Sequence, residues 1–191
     1  MIWKSIFGRS PRENTPYTLY GALVAQARSP EFYLHTGVPD TVEGRFEMVA
    51  LHVFLVLRRL KAGGERGKAL GQEVFDILFD DMDQTLREMG VGDLSVGKKI
   101  KALASSFYGR IQAYSEGLDE SGEASLEAAV GRNVFSGEVG FEDHAAILAD
   151  YMRRLDRELE AQSLDEILRG NIHFGAPPQA PEKLAAPSGG L

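Results

Sequence analysis

Met48-Val-Ala-Leu-His-Val-Phe-Leu-Val-Leu57, in one-letter code MVALHVFLVL, is apolar nearly all round a helix and holds one strongly polar residue, His52. A membrane span needs roughly 20 apolar residues, so this stretch reads instead as the buried central helix of a bundle. Asp40 or Thr41 is placed to cap it. Arg58, Arg59 and Lys61 then suit the negative end of its dipole, and Gly63-Gly64 ends it near Lys61.

Outward from this helix the apolar residues keep helical spacing. Phe75, Leu78, Phe79, Met82, Leu86 and Met89 form one stripe on a helix from about Lys68 to Met89, closed by Gly90. Ser95 is the expected cap of the next helix, from Val96 to about Glu116, with Val96, Ile100, Leu103, Phe107, Ile111 and Tyr114 as its stripe. A weaker helix falls at 123–134, another from about Glu142 to Gln162, and a last turn at Leu164 to Leu168. Upstream, Asn14 and Thr15 before Pro16 predict a helix from Pro16 to about Arg28. Ser29-Pro30 opens a short turn with Phe32, Tyr33 and Leu34, closed by Gly37. No segment alternates with period two, so the fold class is all-α, a compact helical bundle of about six to eight helices.

The expected organisation is a flexible amphipathic segment over 1–14, a helical domain over 15–170 and a disordered Pro/Gly/Ala tail over 171–191, anchored through Ile172 and Phe174. In the first segment Ile2, Trp3 and Phe7 share a face flanked by Lys4 and Arg9, which makes them candidate membrane-proximal residues. A frayed terminus is the simpler reading, because so short a face buries little area.

The 191 residues are 43% hydrophobic and 26% charged, the composition of a soluble globular chain. A net charge of −7 argues against sequence-specific or general nucleic-acid binding. The absence of cysteine excludes thiolate metal sites and cysteine nucleophiles. No nucleophile elbow, phosphate-binding loop or paired-histidine zinc motif is present, and no metal or cofactor is expected.

Three features could carry chemistry. His52 is read as a core histidine hydrogen-bonded across the bundle, and its functional alternative is a haem or quinone cavity. Asp76, Asp80, Asp81 and Asp83 cluster on one helix, but the motif for a magnesium diphosphate site is incomplete at Gln84. Lys98, Lys99 and Lys101 crowd the start of the next helix, against its dipole, so a cross-helix network with Asp83 or Asp93 is the expectation. Phe32, Tyr33 and Tyr108 are aromatic candidates for the wall of a binding groove. Gly109 lies inside a helix, where glycine costs about 1 kcal/mol, and is expected to permit a close approach.

Three ordered motifs carry a resemblance. Arg45-Phe46-Glu47-Met48 leads to Leu51-His52-Val53-Phe54 and Leu57-Arg58-Arg59-Leu60. Phe79-Asp80-Asp81-Met82-Asp83 is followed by Leu86-Arg87-Glu88-Met89-Gly90, and Val96-Gly97-Lys98 runs through Phe107-Tyr108-Gly109-Arg110 to Ala113-Tyr114. Together they resemble the ubiquinol-cytochrome c chaperone family, the assembly factors of the respiratory cytochrome bc1 complex, over about residues 15 to 165. The resemblance implies an all-α chaperone that is not an enzyme. Mitochondrial members work with a small partner subunit near the ribosomal tunnel exit and receive newly made cytochrome b. The expected partners are therefore cytochrome b or another bc1 subunit, with the ribosome or a small helical co-chaperone beside them. The lack of a long targeting extension fits a compact bacterial member, expected in the cytoplasm at the inner face of the membrane. The expected contact residues are His52, Arg58, Arg59, Asp83, Arg87, Lys98, Tyr108 and Arg110.

Overall fold

The computed structural model describes residues 11–179 apart from 121 and 123, with side chains from residue 14. Eight helical segments follow one another: α1 Pro11–Ala27, α2 Pro30–His35, α3 Val42–Lys61, α4 Gly64–Glu88, α5 Asp93–Leu118, α6 Leu126–Val134, α7 Glu142–Ala161 and α8 Leu164–Ile167. No strand occurs among the described residues, so the chain is the all-α bundle that the periodicity predicts.

α3 is the axis of the bundle, packed against α1, α4, α6, α7 and α8. Every residue from Phe46 to Val56 is buried, which is why its sequence has no polar face. The Thr41 side chain caps it, accepting from the Gly44 backbone N–H at 3.1 Å. Ala62 and Gly63 turn the chain back into α4, and Gly67 then passes so near α3 that a Cβ there would stand 1.9 Å from the Leu60 carbonyl oxygen. Only glycine fits that approach. α5 and α7 both run parallel to α3: Glu47 meets Arg110, Phe54 meets Tyr114 and Arg58 meets Asp119, while His52 meets Tyr151 and Arg59 reaches Leu159.

Several boundaries differ from the sequence reading. α1 begins by Pro11, so Pro16 lies inside it and Asn14 and Thr15 are helical rather than capping. Proline tolerates the first turn, and here it removes one backbone N–H from a helix held by α3 and α4. α5 starts at Asp93 after an extended Gly92, so Ser95 sits in the first turn. The Gly92 carbonyl accepts from both Ser95 and Val96, and Asp93 suits the positive end of the dipole. α4 starts at Gly64, a turn before Lys68.

Residues 171–179 lie extended along the body. Ile172 is buried, and the backbone carbonyls of His173, Gly175 and Ala176 accept from Gln162, Gln26 and Arg154. Ile172 and Phe174, the two expected anchors, both meet the core, and 171–179 form a strap on the body. Residues 180–191, like Ile2, Trp3 and Phe7, lie outside the described residues.

Candidate partner-binding face

His52 is fully buried, and a chain of donors fixes its state. Nδ1 lies 2.7 Å from the Met48 carbonyl oxygen, which only accepts, so Nδ1 carries the proton. Nε2 then accepts from Tyr151 Oη at 2.7 Å, and Tyr151 accepts from Gln26 Nε2 at 3.1 Å. Phe32, Tyr151 and Phe174 pack their rings around it, with centroids 5.6, 5.6 and 6.0 Å away. Burial pushes the imidazole down to about 4, against the opposing effect of the hydrogen bond it donates to the Met48 carbonyl. Both ring nitrogens are occupied, so this histidine locks α1, α3 and α7 together and offers iron no lone pair.

The other expected contact residues divide in the same way. Arg58 ties α3 to Asp156 of α7 at 3.0 Å and to Asp119 at 2.6 Å. Arg59 donates to the carbonyls of Leu159 and Gln162 where α7 ends. Arg110 makes a two-pronged pair with Glu47, a buried carboxylate on the axis helix. Burial raises the Glu47 carboxyl and Arg110 opposes that rise. The motif reading passed over Glu47, although a carboxylate one step before the apolar run was the signal that a cation had to meet it.

The network expected between Lys98 and Asp83 is not formed. Asp83 pairs with Arg87, which also reaches Asp93, while Asp81 accepts from Tyr20 Oη at 2.8 Å and Asp76 from Gln72 at 2.7 Å. Lys98, Lys99 and Lys101 are exposed and make no ion pair among the described residues. Val96, Phe107 and Tyr114 form the buried edge of α5, and at helical spacing Lys98 and Lys101 fall on its outer side. Of the aromatic candidates, Phe32 is wholly buried and Tyr33 is half-buried, donating to the Ala27 carbonyl. Tyr108 alone stands out, 60% exposed beside Phe75.

Tyr108 marks an open surface. α5 lies across the groove between α3 and α4 on its Val96, Phe107 and Tyr114 edge, and a cleft remains on each flank. One, of about 470 Å³, is lined by Phe54, Leu57, Phe75, Tyr108 and Ile111, with Arg58 and Lys61 beside them. The other, of about 510 Å³, is lined by Val42, Phe46, Met82, Leu86 and Leu103, with Lys99 and Arg110 beside them. At 3.6 residues per turn, Tyr108 and Ile111 fall on the opposite side of α5 from Leu103 and Arg110. The stripe residues Phe75, Phe79, Met82, Leu86, Ile100, Leu103 and Ile111 are each only partly covered. Gly109 lies on the outer side with nothing near a prospective Cβ, so it serves no close approach inside the chain.

An all-helical body with two part-covered apolar clefts along one helix has the form of a protein that binds other chains. Residues 34–174 match the family described as ubiquinol-cytochrome C chaperone, and the chain belongs to it. Relatives named ubiquinol-cytochrome c reductase complex assembly factor 1 are 29% identical in Homo sapiens and 28% in Mus musculus, over 78% of this chain. The chain spans about half the length of these relatives. A crystal structure described as the Cbp3 homolog from Brucella abortus is 38% identical and superposes with a TM-score of 0.79, covering 87% of this chain and 91% of that one.

Proposed function

We propose that this chain is a non-enzymatic assembly chaperone of the ubiquinol-cytochrome c reductase complex, and that it receives newly made cytochrome b on the two flanks of α5. The observation that carries this reading is the pair of clefts itself. Apolar side chains sit half-covered on the helices that hold the family motifs, and they are suited to an amphipathic or apolar segment that has not yet found its own partners. Arg58, Tyr108 and Arg110 line these clefts and are the proposed contacts; Asp83, Arg87 and Lys98 belong to the same hairpin. Arg59 and His52 act through the body, holding α3 and α7 in place. No helix among the described residues is long and apolar enough to cross a membrane, and a peripheral station at the inner face of the cytoplasmic membrane suits such a client. A ribosome or a small helical co-chaperone beside the client belongs to the same proposal. A haem- or quinone-binding role at His52 has less support, because both its ring nitrogens are already engaged.

Photo-crosslinking in cells tests the reading, with the probe at Tyr108, at Leu103 and, as a control, at Glu160 on the exposed face of α7. Adducts with newly synthesised cytochrome b from the first two positions and not from the third are expected. Adducts of equal yield from all three, or none with any bc1 subunit, would overturn it.

A further inference from the structure

The end of the α4–α5 hairpin carries apolar surface and cations together. Leu94 is 93% exposed and Met89 56%, beside the turn at Gly90. Leu94, Lys98 and Lys101 are spaced i, i+4, i+7 and so form one stripe, on the outward side of α5 away from its Phe107 and Tyr114 edge. The lysines have no ion pair among the described residues, whereas Arg87 beside them is held by Asp83 and Asp93. Helical side chains lean toward the N-terminus of their helix, which here is the hairpin end, so the ammonium groups reach toward the level of Leu94. Nothing among the described residues rewards either feature: the lysines oppose the α5 dipole and the leucine faces water.

One environment suits both, an interface in which leucine and methionine enter the acyl boundary while lysines meet anionic headgroups. A net charge of −7 gives the whole chain no general attraction to such a surface, so binding has to be local, within a Debye length of about 8 Å. We infer that the α4–α5 hairpin end docks on an anionic lipid bilayer. This does not rest on the client reading, because lipid binding needs no client.

Sedimentation of the full chain with vesicles of phosphatidylglycerol and phosphatidylethanolamine tests it. Binding is expected to these vesicles and not to phosphatidylcholine alone, and to weaken as salt rises. Met89→Ser with Leu94→Ser should lower partition about tenfold or more, and Lys98→Glu with Lys101→Glu should abolish it. Because these side chains are exposed, the melting temperature serves as the folding check and should not fall. The inference fails if the parent chain stays in the supernatant with anionic vesicles. It fails equally if folded variants of the hairpin end bind as well as the parent, including the case in which Trp3→Ser alone removes binding and places the membrane contact at the N-terminal segment.

Discussion

At the scale of single residues, His52 shows how a polar group becomes part of a core. Burial keeps it neutral, holding its imidazole down to about 4 from an ordinary 6.5, while Nδ1–H donates to the Met48 carbonyl and Nε2 accepts from Tyr151 Oη. The unfolded chain therefore binds a proton below about pH 6.5 that the folded chain refuses until about pH 4. The contribution to stability is fully present above pH 6.5 and is lost as pH falls toward 4, to an extent of about 3 kcal/mol. Urea unfolding across this range should show that slope, and His52→Gln, which does not titrate, should flatten the part due to His52; parallel curves for the two proteins would refute the assignment. The sequence announced that His52 needed a partner. It did not announce Tyr151, 99 positions away, because several helices offered a donor. The same holds for Glu47 and Arg110, where charge type was legible and pairing was not.

At the scale of elements, the helices were legible from spacing and their ends less so. A proline at 16 looked like a first turn because that is where its missing N–H costs nothing, yet tertiary contacts with α3 and α4 sustain a helix through it. Two glycines on neighbouring helices carry opposite expectations for the same change. Gly67→Ala drives a methyl against the Leu60 carbonyl and should cost about 3 kcal/mol, at the upper end of ordinary overpacking. Gly109→Ala meets open space and should stabilise α5 by up to about 1 kcal/mol. Thermal melts of the two variants check both signs. A loss of client crosslinking in a stabilised Gly109→Ala chain would place the client against the outer side of α5 as well as its flanks.

At the scale of the whole molecule, the strap over 171–179 closes the bundle across α1 and α7. Gln26 joins it to the His52 chain, since the same side-chain nitrogen faces Tyr151 Oη and the Gly175 carbonyl. Ending the chain at Gly170 removes the buried Ile172 and the acceptors of Gln26, Arg154 and Gln162, and should lower stability by about 2 to 3 kcal/mol in urea unfolding. An unchanged midpoint would mean that the strap adds nothing. Its two apolar anchors, Ile172 and Phe174, were legible in the sequence, and its path was not, because a few specific carbonyls hold it rather than any periodic apolar face. The sequence by itself determined the all-α class, the central helix and the faces each helix buries, since hydrophobic spacing is a local property of the chain. Only the tertiary structure decided which charges were spent on packing and which apolar residues stayed half-covered beside α5. Those outcomes depend on the path of α5 over α3 and α4, and no local spacing encodes it.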